Sequence, residues 1–70
     1  MEKQLIEIAM EILGIDSITI NTQRKDIEEW DSLAHVMLIS EINDQMGITV
    51  PVSAVDTIKT LKDFLNYAKQ

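Results

Sequence analysis

Few side chains in this sequence could do chemistry. Ser32 stands between an acid and a regular apolar run, His35 follows it by three, and there is no cysteine. A serine beside a histidine invites a hydrolase reading. The two lie on one helical run, however, and seventy residues leave no room for a substrate cleft and an oxyanion hole. A lone histidine without cysteines cannot build a His-rich or thiolate metal site, and any thiol chemistry needs an imported thiol. Gly14 and Gly47 are too far apart for a phosphate-cradling loop, and no window supplies the alternating oxygen ligands of a calcium loop. Ser32 therefore has two readings, a helix cap or a point of covalent attachment. Its spacing alone is satisfied by capping.

The elements that position Ser32 are legible on either side of it. Leu5, Ile8, Ala9, Ile12 and Leu13 recur at helical spacing, which predicts a first helix over about 2–13 closed by Gly14. Residues 14–31 then form a long loop. Its apolar members Ile18, Ile20 and Ile27 are expected to pin it to the core, and Trp30 either joins them or faces partners. Loops of this length inside compact domains are usually functional or disordered. Asp31 is the expected N-cap of a second helix over about 32–46, with Gly47 as its stop.

That second helix carries two apolar stripes. Leu38, Ile39, Ile42 and Met46 form one, with His35 in line near its start as a half-buried packing residue. Leu33, Val36 and Met37 form the other on nearly the opposite side, continued by Ser40 and Asp44. One helix of a small bundle needs one buried stripe, so the second is surplus to folding. Beyond it, Pro51 makes 48–51 an extended connector. Ser53 with Asp56, and Thr60 with Asp63, have the spacing of capping boxes, which predicts a short third helix over about 54–58 and a fourth over about 61–68. The expected product is all-α: one domain, 1–70, folded as a small four-helix bundle with a long loop between helices 1 and 2.

Composition narrows the function. Six basic against twelve acidic residues give a net charge of −6. That argues against a phosphate-neutralising nucleic-acid surface and against docking on anionic membranes. It favours partners with basic patches. The apolar segment Leu5–Ile15 is broken by Glu7 and Glu11, is too short to span a bilayer, and lacks the flanks of a secretory signal. A monomeric, cytoplasmic protein is expected.

A capped serine after a pinned loop, a surplus stripe beside it, and an acidic, cysteine-free four-helix chain together resemble the acyl carrier and peptidyl carrier protein family. The residues carrying the resemblance are Asp31-Ser32-Leu33, then Gly47-Ile48-x-Val50-Pro51, with the spacing to Ile58 and Thr60-Leu61. The resemblance implies a 4′-phosphopantetheine arm joined to Ser32 as a phosphodiester by a transferase that uses coenzyme A. It implies thioester-bound acyl or aminoacyl cargo on the arm's thiol, and no catalytic activity of the chain's own. Its partners are then a phosphopantetheinyl transferase, an acyl- or aminoacyl-loading enzyme, and a downstream synthase or transferase. Asp31 gains a second task under this resemblance, helping to hold the transferase's magnesium ion. Leu33, Val36, Met37, Ser40, Glu41 and Asp44 become the partner-docking face.

Fatty-acid carriers usually place a small residue before Asp-Ser-Leu and crowd the second helix with glutamates. Here Trp30 takes that place, and the exposed side offers Ala34, Met37, Ser40, Glu41, Asn43 and Asp44. The run Glu28-Glu29-Trp30-Asp31-Ser32 looks more like stand-alone carriers of specialised pathways, including D-alanyl and peptidyl carriers. The reading from a different class is a noncovalent helical module that docks the Leu33/Val36/Met37 stripe on a partner.

Overall fold

The computed structural model describes residues 1–68. Two α-helices, α1 (Glu2–Leu13) and α2 (Ser32–Met46), pack against each other. Two 3₁₀ segments, Val52–Thr57 and Leu61–Tyr67, complete an all-helical four-element bundle, with no strand among the described residues. The all-α, four-helix expectation holds, but the third and fourth elements are wound more tightly than α-helices.

Each terminus has a local cause. Gly14 and Gly47 adopt φ of 68° and 70°, the left-handed conformation that ends a helix with least steric cost to glycine. Their N–H groups bond Met10 and Asn43 carbonyls. Asn43 also donates from Nδ2 to the Ile48 carbonyl (3.3 Å) and Thr49 Oγ1 (2.8 Å), clamping the connector onto the end of α2.

The third segment begins at Val52 rather than 54, because Pro51 precedes it as the cap and its carbonyl accepts from Ala54 N–H. Ser53 lies inside the segment, so its expected capping box with Asp56 is not the start signal. Thr60 and Asp63 do form a box, in which Asp63 Oδ2 accepts from the N–H of Thr60 (3.1 Å) and of Lys59 (2.8 Å). Ala68, placed by the sequence in the last helix, is extended at ψ 134°. The last helix prediction otherwise lies within Leu61–Tyr67.

The core runs through every element. Leu5, Ile8, Ala9 and Leu13 of α1 meet Leu38 and Ile42 of α2, and Ile48, Val50, Ile58, Leu61 and Phe64 close the other side. Loop 14–31 joins them through buried Ile18 and Trp30, with Ile20 and Ile27 half-buried against the cluster. It is also laced by backbone bonds to the distant C-terminal stretch, Arg24 N–H to the Lys59 carbonyl (2.7 Å) and Lys62 N–H to the Ile20 carbonyl (3.0 Å). A single 3₁₀ turn, Arg24–Asp26, sits within it. The loop is held by its apolar pins and by these backbone bonds, which tie it to the C-terminal stretch.

Candidate functional site

Ser32 is the first residue of α2 and is exposed. Asp31 caps the helix, its Oδ1 accepting from Ala34 N–H at 2.9 Å, while its own carbonyl takes His35 N–H at 2.8 Å. An α-helix leaves its first N–H groups without intrahelical acceptors. With Ala34 served by Asp31, the N–H groups of Ser32 and Leu33 remain directed out of the helix start, beside the Ser32 hydroxyl. This donor set suits a phosphate ester on that hydroxyl, since exposed N–H groups and the helix dipole both favour an anion there.

Immediately behind Ser32 the chain is locked from the inside. Trp30 is 2% exposed, and its Nε1–H donates to His35 Nδ1 at 2.9 Å. An indole nitrogen can only donate, so Nδ1 must accept and the neutral ring carries its proton on Nε2. Nε2–H then donates to the Val55 carbonyl at 2.9 Å. Arg24 adds a third tie, with Nε donating to the Trp30 carbonyl at 3.2 Å. Loop, α2 and third segment are thus joined by one chain of hydrogen bonds that ends two residues before Ser32.

His35 differs from its expectation as a half-buried packing residue, being 2% exposed. Burial lowers its pKa from the usual 6.5, with the nearby positive charges of Arg24 and Lys59 acting in the same direction. The bond to the Val55 carbonyl and the charge of Asp56 oppose the shift. Neutrality is what the Trp30 bond requires, because a second ring proton would occupy the accepting nitrogen. No buried polar side-chain atom lacks a partner among the described residues.

The other faces of α2 divide unequally. Leu38 and Ile42 are fully buried, and Ile39, Met46 and Ala34 are half-buried against the core. Ala34 therefore leaves the exposed side on which the sequence placed it. Leu33, Val36 and Met37 are 71%, 59% and 48% exposed. Ser40 and Asp44 are also exposed, whereas Glu41 is half-buried and accepts from Gln45 Nε2 at 2.7 Å. The structure thus brings Ser32, Asp31 and the apolar stripe to one helix, and sets Trp30, His35 and Arg24 behind them as positioning residues. His35 is readable as a packing residue, whereas sequence leaves Trp30 open between packing and partner contact, and its burial decides for packing. Their mutual bond is not readable, because only the fold aims one ring nitrogen at another.

No group of three or more His, Cys, Asp or Glu side chains among the described residues could hold a metal ion, and no helix is long and apolar enough to cross a membrane.

Comparison with known proteins agrees with this geometry. The family described as a phosphopantetheine attachment site matches residues 3–68. The acyl carrier protein of Rickettsia typhi is 35% identical over 72 residues, covering 100% of this chain and 84% of the relative. The acyl carrier protein of Rickettsia prowazekii matches to the same extent. Bacitracin synthase 1 of Bacillus licheniformis is 36% identical over 67 residues, covering 91% of this chain but 1% of the synthase. No solved structure matches. The match over nearly the whole chain and the full-length likeness to acyl carrier proteins give one conclusion: the chain belongs to the phosphopantetheine-attachment family of carrier proteins, whose cofactor is a covalently attached 4′-phosphopantetheine.

Proposed function

We propose that Ser32 bears the 4′-phosphopantetheine arm, and that the chain presents thioester-bound acyl or aminoacyl cargo to partner enzymes without catalysis of its own. The observation that carries this reading is the exposed Ser32 at the start of α2, directly after the capping Asp31 and the buried Trp30. The arm, when attached, supplies the thiol on which cargo rides. The chain's own residues do the rest. Ser32 Oγ provides the ester oxygen, and the N–H groups of Ser32 and Leu33 face the phosphate. Asp31 fixes the first turn and offers its second carboxylate oxygen to the magnesium ion of the transferase. Trp30, His35 and Arg24 hold the backbone from which the tether leaves.

Leu33, Val36 and Met37 form the apolar centre of the face that the transferase, the loading enzyme and a downstream synthase recognise, with Ser40, Glu41 and Asp44 at its edge. Exposed apolar side chains on a helix already buried on its other side are what such a contact uses. Only Glu41 and Asp44 supply acid there, and Glu41 is engaged by Gln45. Enzymes that read a dense acidic helix through Arg and Lys therefore bind this face weakly, which supports a specialised biosynthetic pathway over primary fatty-acid synthesis.

The test is an intact mass. Apo protein incubated with coenzyme A, magnesium and a broad-specificity phosphopantetheinyl transferase is expected to gain one phosphopantetheine, and Ser32→Ala to gain none. Failure to gain mass with several transferases would return the chain to a noncovalent docking module.

A further inference from the structure

Three of the six basic residues, Arg24, Lys25 and Lys59, line a single surface cleft of about 430 Å³. Glu28 is the one acid lining it, and half-buried Ile27, backed by buried Trp30, gives it apolar surface. A local excess of two positive charges thus stands on a molecule whose net charge is −6. The fold gathers them through main-chain groups, because Arg24 N–H bonds the Lys59 carbonyl and Lys59 N–H bonds Asp63. These bonds need neither side chain to be basic. Arg24 spends its Nε on the Trp30 carbonyl, but the ammonium groups of Lys25 and Lys59 have no such task among the described residues. Cations collected in a concave site beyond what the fold uses mark a place for an anion.

The cleft also lies close to the proposed tether. Arg24 reaches the Trp30 carbonyl, and two virtual bonds hold the Cα atoms of Trp30 and Ser32 within about 7.6 Å of each other. A group anchored on Ser32 meets this cleft at high effective concentration, whereas a free ligand must find it from solution.

We infer that the cleft receives the far end of the Ser32-borne arm, and that its cations favour acyl cargo ending in a free carboxylate over aminoacyl cargo ending in an ammonium. This rests on the carrier reading above and names its cargo class. The apolar surface of Ile27 suits the methylene portion of such a group, and the guanidinium and two ammonium groups suit its carboxylate. An ammonium-bearing cargo meets like charge at the same place and stays in solvent.

The experiment uses isotope-labelled full chain carrying, in separate samples, succinyl, butyryl or β-alanyl phosphopantetheine. Each is installed by the transferase from the matching coenzyme A thioester and verified by intact mass. Amide shifts relative to the unacylated holo protein at Arg24, Lys25, Ile27 and Lys59 are expected to be severalfold larger for succinyl than for butyryl, and no larger for β-alanyl than for butyryl. The double variant Lys25→Gln/Lys59→Gln should reduce the succinyl excess to the butyryl level while leaving the helical circular dichroism unchanged. Raising salt to about 1 M, where screening acts within about 3 Å, should do the same to the native chain. Equal shifts for all three cargoes, or a succinyl excess that survives the double variant, would overturn the inference. A sample that acquires an arm but shows no cargo-dependent shift sinks the cleft alone. A chain that never acquires an arm sinks the carrier reading and the cleft with it.

Discussion

The two long sides of α2 have been put to different uses within fifteen residues. On one side Leu38, Ile42 and His35 are at most 2% exposed, and even the polar member has a partner for each ring nitrogen. On the other, Leu33, Val36 and Met37 hold 48–71% of their surface open to solvent. Hydrophobic burial, with hydrogen bonds satisfying His35, accounts for the first side and for the second not at all. The contrast separates what the fold requires from what it leaves available, and substitutions on the two sides should behave oppositely.

The largest effect is expected on the buried side. Trp30→Ala removes a buried indole and should cost about 3–5 kcal/mol, comparable to the whole stability of a domain this small. Thermal melts followed by far-ultraviolet circular dichroism should show a largely unfolded chain near room temperature. A melt within a few degrees of native would mean that Trp30 is peripheral, and the contrast between the sides would lose its main support.

Trp30→Phe is the finer probe. It keeps an aromatic ring but loses part of the indole volume and leaves His35 Nδ1 buried without its donor. The lost donor alone is expected to cost about 1–3 kcal/mol in urea titrations, and the smaller ring adds to that.

Burial of the His35 ring sets a pH dependence. His35 has a lowered pKa in the fold, so the unfolded chain binds a proton first as pH falls through 6.5. Stability is therefore fullest above that value, declines as pH drops below it, and stops declining from this source once the folded pKa is passed. His35→Gln should be less stable at neutral pH but lack this decline. If native and variant lose stability in parallel from pH 7 downward, His35 is not the titrating group.

How much of this contrast is readable from sequence depends on the range of the interaction involved. Helical periodicity, the capping carboxylate of Asp31 and the left-handed glycines are local, and they delimit α1 and α2 without tertiary information. Ser32 was legible for the same reason, as a polar residue at a junction that local signals define. The Trp30–His35–Val55 chain is not local: it depends on ring orientation and on a third segment twenty residues further along. Neither the third segment's start at Val52 nor the cationic cleft was visible, since Pro51 competes with Ser53 as a start signal and Lys59 meets Arg24 only after folding. Periodicity did separate the two stripes. It could not grade Ala34, which lies at their border and is drawn into the core.

Asp31→Ala lies at the boundary between the two sides. Loss of its bond to Ala34 N–H should cost about 0.5–2 kcal/mol, as for other N-caps. A cap-only role leaves transferase loading unchanged once the folded fraction is corrected for. Asp31→Asn, which preserves a capping oxygen, should restore most of the stability. A loading defect that persists in Asp31→Asn assigns the carboxylate a part in binding the transferase's magnesium ion.

The smallest effect on stability, and the sharpest test of the contrast, is Met37→Glu. An exposed residue tied to no hydrogen bond should change stability by less than about 0.5 kcal/mol. If the open side is the docking face, the same substitution places charge at the centre of an apolar contact. Loading by the transferase should then slow by about tenfold, the equivalent of roughly 1.4 kcal/mol. Met37→Gln separates the causes, since it loses apolar contact without adding charge and should fall between the native chain and Met37→Glu. Because adding one acid to a chain already at −6 also changes long-range attraction to basic partners, loading is compared at low and high salt. A defect that disappears at high salt belongs to the general field, whereas one that persists belongs to the contact. Should Met37→Glu instead unfold the domain, the open side serves the core after all, and the division of α2 into a structural and a docking side fails.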